Sequence, residues 1–256
     1  MIDIHTHILS NVDDGAVNMA NSLYALQAAE KAGFTDIILT PHYIPDYYEN
    51  TVEELKEKIN NLKEQTYKGN IIINIHEGNE IYVCEELMDL VKNNQLYTLA
   101  GSRYVLIELP LNHKLFITNS IITELIANDY IPILAHPERY EFIQENPNEL
   151  INLINSGVLI QANYASITGR YGKNAQKTVM KMLKHKMVHF LGTDTHRKGS
   201  LYEGFDDILK ELSSILSQDE IKNLTTNNAK CILEDVEIKI EEPIAINKKR
   251  KWLFWK

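Results

Sequence analysis

Cysteine is scarce in this chain. Its 256 residues include only Cys84 and Cys231, far apart and in unrelated contexts. That excludes a disulfide framework, and both thiols are expected to be reduced core residues, as in a reducing cytoplasm. Neither cysteine opens a Cys-x5-Arg loop, which excludes phosphatase chemistry on a thiolate nucleophile. A Walker-type glycine-rich loop is missing too, and with it the case for a nucleoside triphosphatase. No apolar run approaches the roughly 20 residues needed to span a bilayer. A motif that begins at residue 2 leaves no room for a signal peptide ahead of it, so a cytoplasmic protein is expected. Positive charge is in deficit: the net charge of −9 argues against a general nucleic-acid binder. There is no linker, low-complexity stretch or internal repeat. What remains is a length and composition suited to one large domain, expected over residues 1–235, followed by a C-terminal extension, 236–256.

The most informative segment is the first. Residues 1–7 read Met-Ile-Asp-Ile-His-Thr-His. In a strand, residues i, i+2 and i+4 share a face, so Asp3, His5 and His7 would project together. Two imidazoles so placed can grip a metal ion while a carboxylate orients them. A polar strand end with solvated histidines has the same pattern. The rest of the chain decides against it, because further ligand types recur where later strands end.

Apolar runs of strand length alternate with segments of helical period. Strands are expected at 2–5, 36–40, 71–75, 104–108, 131–136, 158–162 and 188–192, with helices at 18–32, 52–66, 118–128, 174–186, 202–216 and 218–225. Strands apolar on both faces imply a parallel sheet covered by helices. His5, His7, His42, Glu80, Glu108, His136, Asp194 and His196 all fall at or just after the ends of these strands. In a (β/α) barrel the strand C-termini converge on one rim, whereas a doubly wound sheet gathers its ligands at one switch point. Distribution over at least six strand ends favours the barrel.

With Asp14, these residues give five imidazoles and four carboxylates, more than one ion needs. Two or three ions with a bridging carboxylate would use them all, an arrangement suited to hydrolysis of phosphate esters. Ligation without thiolate leaves Mn, Fe, Zn and Co open. Of the other histidines, His185 and His189 read as packing or surface residues. His76 is a weak candidate for support of Glu80, and His113 for substrate contact. The tail 247–256 (NKKRKWLFWK) holds both tryptophans among basic residues. It reads either as a plain solvated end or as a weak contact with anionic lipid at the inner membrane face.

The motifs Asp3-Ile-His5-Thr-His7, Asp13-Asp14-Gly15, Thr40-Pro41-His42, Gly78-Asn79-Glu80, Glu108, Ala135-His136-Pro137-Glu138-Arg139-Tyr140 and Thr193-Asp194-Thr195-His196 resemble those of the polymerase-and-histidinol-phosphatase (PHP) domain, over residues 1 to about 235. Within that superfamily the chain most resembles the bacterial manganese-dependent tyrosine-protein phosphatases of capsule and exopolysaccharide synthesis. The resemblance implies a distorted (β/α)7 TIM-like barrel with three Mn2+ ions at the C-terminal rim. His5, His7, Glu80 and Asp194 would surround one ion, Glu80, Glu108 and His136 a second, and Asp14, His42 and His196 a third. Asp13 is the alternative to Asp14. Asp3 would orient a ligand histidine, and Arg139, Asp194 and His136 would be the catalytic set, with Arg139 clamping phosphate. Arg197, where the family usually has asparagine, is a weak candidate for a second phosphate-binding arginine. The implied substrate is phosphotyrosine in the tail of a cognate bacterial tyrosine kinase. A small-molecule phosphomonoesterase such as a histidinol phosphatase is the alternative. A phosphodiesterase or exonuclease is disfavoured by the acidic balance, and a non-catalytic barrel by the filled ligand positions.

Overall fold

The computed structural model describes residues 1–113, 116–196 and 201–247. Its strand segments are β1 (Ile2–Asp3), β2 (Asp36–Ile38), β3 (His42–Tyr43), β4 (Asn74–His76), β5 (Glu80–Tyr82), β6 (Tyr104–Glu108), β7 (Ile131–Ala135), β8 (Leu159–Asn163) and β9 (Phe190–Gly192). They form two ladders, β1-β2-β4 and β3-β5-β6-β7-β8-β9, and every neighbouring pair is parallel.

The ladders are parts of one wall. β2 and β3 are a single stave interrupted at Pro41, which has no N–H to give the ladder. β4 and β5 are a second, interrupted at Gly78, where a Cβ would come within 3.0 Å of Ile38 and Leu99 side chains. Glu80 N donates to Pro41 O (3.2 Å) and Leu39 N to His76 O (2.9 Å), so the staves stay paired across the interruptions. The ring closes where Thr6 bridges Thr195 in parallel, with Asp194 N donating to His5 O (2.8 Å) and His7 N to Thr195 O (3.0 Å). Seven staves in a closed ring make this a distorted (β/α)7 barrel rather than an open sheet.

Side-chain alternation separates plug from rim. Tyr104, Leu106, Ile133, Ala135, Leu159 and Phe190 form a buried cluster with Ile2, Ile4 and Ile38. Ala229 and Ile232, from the helix Asn228–Glu234, belong to the same cluster. Continuing two residues along β6 and β8, the same faces carry Glu108, Gln161 and Asn163. The apolar plug therefore supports a polar layer above it. A larger apolar cluster, including Leu26, Leu55, Leu62, Val105, Leu134 and Val179, seals helices against the outer wall. The first two long helices carry side-chain caps: Asn18 accepts from Asn21 N, and Thr51 with Glu54 forms a capping box, a device contributing about 1 kcal/mol.

The expected strand over 71–75 is displaced to Asn74–His76. Ile71 N donates to Thr66 O, which wraps Ile71 onto the end of the preceding helix, Val52–Lys68, as its apolar closing residue. Residues 236–247 lie against the body of the molecule. Val236 O accepts from Tyr104 OH (2.6 Å), Ile244 exchanges hydrogen bonds with His185, and Ile246 with Asn148. The basic and aromatic stretch 248–256 lies outside the described residues. Among the described residues no helix is long and apolar enough to cross a membrane.

Candidate metal centre

All nine expected ligand residues meet at the C-terminal end of the barrel. Four clusters of donor atoms arise, each within 4.8 Å: His5–His7–Glu80, His5–His136–Asp194, His42–Glu80–Glu108 and His7–Asp14–His42–His196. The middle grouping differs from expectation in one respect. His42 joins Glu80 and Glu108, while His136 Nε2 lies 2.9 Å from Glu80 Oε1 and 3.6 Å from Glu108 Oε1.

Local backbone devices aim these side chains. A Cβ on Gly15 would sit 2.0 Å from the His7 carbonyl oxygen, so only glycine lets the 13–15 loop close against His7. The loop separates the two aspartates by role. Asp13 Oδ2 accepts from His7 Nδ1 (2.8 Å) and from His42 N (3.0 Å), whereas Asp14 Oδ1 faces His196 Nε2 (3.4 Å) and His42 Nε2 (3.7 Å). His136 (φ 33°) and Asp194 (φ 51°) both occupy the left-handed region, a cost on the order of 1–3 kcal/mol each. At His136 this turns the chain out of β7 into the short helical turn Pro137–Arg139 and brings Arg139 over the rim.

The sharpest evidence for a cation lies between His5 and His7. His5 Nδ1 donates to Gln161 Oε1 (2.9 Å), and His7 Nδ1 donates to Asp13. The Gln161 orientation is fixed in turn, because its Nε2 donates to Asn163 Oδ1 (2.9 Å), and Asn163 Nδ2 donates to Asp194 Oδ2 (2.7 Å). In the neutral rings, both Nε2 atoms therefore present lone pairs, and they face each other at 3.1 Å. Glu80 Oε2 stands 3.2 Å from each, and Asp194 Oδ1 about as close, at 3.6 and 3.5 Å. Lone pairs and carboxylates so arranged repel unless positive charge lies among them. Among the described residues His136 Nδ1 and Asp194 Oδ1 are buried without a hydrogen-bond partner, and His42 Nδ1 and Glu80 Oε2, 3.0 Å apart, face each other without forming an aligned hydrogen bond. Orphaned buried donors at a rim of this composition fit divalent metal ions.

Set among protein charges alone, the site holds protons where ions would bind. Burial pushes His5 down, but Glu80 and Asp194 outweigh it and raise it to about 9; His42 reaches about 9 against Glu80 and Glu108. Burial and Glu80 push Glu108 up to about 8. Burial and the Arg139 charge bring His136 down to about 4. Asp194 is held below the usual carboxylate range, its burial outweighed by the surrounding histidines. Between pH 6.5 and 9 the folded metal-free chain thus binds more protons at His5, His42 and Glu108 than the unfolded chain does. Its stability must fall as pH rises through that window. Metal-stripped protein is expected to lose several degrees of thermal midpoint from pH 6.5 to 9, and saturating Mn2+ at pH 8 to restore it. A midpoint flat across the window, by calorimetry with and without Mn2+, would remove the protonated-cluster description.

Asp3 is fully buried, but it meets His5 through the backbone. Its carboxylate accepts from His5 N (3.3 Å), Thr193 N (3.0 Å) and Tyr202 OH (2.7 Å). The orienting role expected of Asp3 falls to Asp13, whose carboxylate meets the His7 ring at Nδ1 (2.8 Å). Arg139 Nη1 donates to Asp194 Oδ2 (3.0 Å), and its guanidinium lies 4.5 Å above the Tyr171 ring. Arg139, Tyr171, Arg170, Asp14 and His196 line an open cleft of about 400 Å³. Arg197 lies outside the described residues. Sequence reading missed Gln161, Asn163 and Tyr171. Two amides at i and i+2 in the otherwise apolar Leu-Ile-Gln-Ala-Asn run were the available signal for the first pair.

The remaining candidates lie apart. His76 pairs with Asp36 (3.1 Å) below the rim, His113 is exposed, and His185 meets Ile244 O. His189 is buried, accepting from Ile160 N. Cys84 and Cys231 are free and half-buried rather than core residues.

Known proteins resemble this chain from end to end. The family described as "Capsular polysaccharide synthesis, CpsB/CapC" matches residues 1–234. CapC of Staphylococcus aureus is 34% identical over 261 residues, covering 98% of each chain. The tyrosine-protein phosphatase YwqE of Bacillus subtilis is 30% identical over 259 residues, covering 100% of each. A crystal structure from work on YwqE and Streptococcus pneumoniae CpsB, described as unique metal-dependent tyrosine phosphatases, is similar with TM-score 0.87 at 29% identity. That match covers 97% of this chain and 100% of the other. End-to-end likeness in sequence and fold, over the same span that carries the nine converging ligand types, makes this chain a member of the CpsB/CapC family of capsular polysaccharide synthesis.

Proposed function

We propose that the chain is a metal-dependent protein-tyrosine phosphatase of capsule and exopolysaccharide synthesis, removing phosphate from phosphotyrosine in the tail of a cognate bacterial tyrosine kinase. The observation that carries the metal dependence is the pair of imidazole lone pairs at 3.1 Å, flanked by Glu80 and Asp194. The tyrosine substrate is supported by the activity named for YwqE and for the matching crystal structure. In this reading the rim would hold three Mn2+ ions. His5, His7, Glu80 and Asp194 would hold the first, Glu80, Glu108 and His136 the second, and Asp14, His42 and His196 the third, with His42 also within reach of the Glu80–Glu108 pair.

Bound ions supply Lewis acidity toward the phosphoryl oxygens and make a water nucleophilic at neutral pH. The chain's own residues do the rest. Arg139 offers a planar fork of donors to the phosphoryl oxygens, with its Nη1 engaged by Asp194. Gln161 and Asn163 fix the His5 tautomer and the Asp194 rotamer, so the ligands need no rearrangement. Asp13 does the same for His7. The cleft beside the rim is open, which suits a long side chain presented by a flexible peptide.

The test is turnover by Mn-loaded protein of a phosphotyrosyl peptide, histidinol phosphate and a phosphodiester. The peptide is expected to exceed both in kcat/KM by about tenfold or more; faster histidinol phosphate hydrolysis would replace this reading with the small-molecule one. A chain lacking residues 247–256 is expected to keep small-substrate turnover. It should lose low-salt sedimentation with anionic vesicles, since each basic residue near such a surface contributes roughly 1 kcal/mol. Equal sedimentation of the two chains would refute a peripheral membrane contact at the inner face.

A further inference from the structure

Tyr171 is a residue that none of the metal motifs includes, yet it touches both halves of the site's charge. Its hydroxyl donates to Asp194 Oδ2 at 3.3 Å, the same oxygen that accepts from Arg139 Nη1 at 3.0 Å and Asn163 Nδ2 at 2.7 Å. The Arg139 guanidinium lies 4.5 Å from the Tyr171 ring centroid. The ring stands at the start of the helix Gly172–Lys184 and lines the cleft beside the metal rim. Its placement is built into the backbone: Gly169 (φ 80°) and Gly172 (φ 91°) both adopt the left-handed conformation that glycine tolerates, and Gly172 N donates to Gly169 O (2.9 Å). That turn directs Tyr171 back over the rim.

We propose that Tyr171 is a positioning residue for Arg139: its ring carries the guanidinium and its hydroxyl shares the carboxylate oxygen that anchors it, holding the donor fork toward the phosphoryl site. The inference rests on the phosphatase reading. The physical case is entropic. Arginine has a long stem with many rotamers, and a donor that must be recruited for each turnover contributes less than one already placed. Asp194 restrains one nitrogen, which fixes distance but not the plane. The Tyr171 ring beneath the guanidinium carbon, 4.5 Å from it, restrains the group from a second side. The remaining guanidinium donors are then held at the cleft that Arg139 and Tyr171 line, where they can serve two oxygens of one phosphoryl group.

The experiment is a double-mutant cycle in the Mn-loaded full chain, with Tyr171→Leu, Tyr171→Phe, Arg139→Ala and the Leu/Ala double variant. Readouts are kcat and KM on a phosphotyrosyl peptide, and binding of inorganic phosphate by calorimetry. Tyr171→Leu is expected to lower kcat/KM about thirtyfold with the same kcat-against-KM split as Arg139→Ala. Tyr171→Phe, which keeps the ring and loses the hydroxyl, should recover all but about threefold. In the Arg139→Ala background, Tyr171→Leu should add less than about twofold. A full thirtyfold loss in that background, or Tyr171→Leu within twofold of wild type, would overturn the proposal. The Phe variant and a thermal midpoint for each variant separate positioning from a folding defect. If the wild type failed to hydrolyse the peptide, the phosphatase reading would fail, while coupled loss of phosphate binding would still be readable for Tyr171 and Arg139.

Discussion

Asp194→Ala and His136→Ala are each expected to lose turnover by a factor on the order of a thousand or more, with the barrel still folded. Asp194 is the most connected carboxylate of the rim. Oδ1 lies 3.6, 3.5 and 3.2 Å from His5, His7 and His196 nitrogens, and Oδ2 accepts from Arg139, Asn163 and Tyr171. Removing it deprives the first proposed ion of a ligand and frees Arg139 at the same time. His136 Nε2 reaches both Glu80 and Glu108, so its loss opens the second proposed ion site. The fold should persist, because the apolar plug of Tyr104, Leu106, Ile133 and Phe190 lies below the rim and touches neither change. Asp194→Asn is the cleaner companion, since asparagine tolerates the left-handed backbone at φ 51° that alanine resists. Turnover of a phosphotyrosyl peptide with Mn2+ in excess, alongside metal content per chain, checks this. Near-normal rates in both alanine variants would sink the multi-metal mechanism.

The rim was legible because metal ligation draws on few residue types, and here they stand at strand ends. His5, His7, His42, Glu80, Glu108 and His136 could be placed on one ring from periodicity alone, once the strands were read as parallel. The supporting layer was not legible. Gln161 and Asn163 carry no ligand signature, and their role exists only because β8 stands between the β7 and β9 ends. Tyr171 was invisible for a related reason: it reaches Arg139 across a turn set by two glycines, not through a spacing. Asp3 shared the period of His5 and His7, yet it meets backbone N–H groups, because the regular strand ends at Asp3 and pairing resumes only at the Thr6 bridge. At 71–75, apolar content pointed to a strand, but Ile71 closes a helix and Ile72 is exposed, so the strand starts later. The short helices Glu141–Glu145 and Glu149–Asn155 are too brief to show a period.

Arg139 gives the second large effect, and its chemistry makes lysine as informative as alanine. If the guanidinium grips two phosphoryl oxygens in the transition state, Arg139→Lys should be damaged nearly as badly as Arg139→Ala, each losing about a hundredfold in kcat. A lysine ammonium can reach Asp194 as a point charge. It cannot present paired, coplanar donors to phosphate as a guanidinium does. Fold damage should be slight in either variant, because Asp194 Oδ2 keeps Asn163 and Tyr171 as donors after Arg139 is gone. The division between constants locates the interaction. A grip made only as charge develops lowers kcat with KM steady, whereas one made equally in the bound substrate raises KM and spares kcat. The pre-placed geometry, with one nitrogen on Asp194 and the guanidinium carbon over the Tyr171 ring, favours the first outcome, since the donors need not move as the phosphoryl group flattens. Steady-state kinetics of both variants on one phosphotyrosyl peptide decide it. If lysine and alanine both kept wild-type kcat and KM, Arg139 would be only the counter-charge of Asp194, and the phosphate grip would have to come from the metal rim.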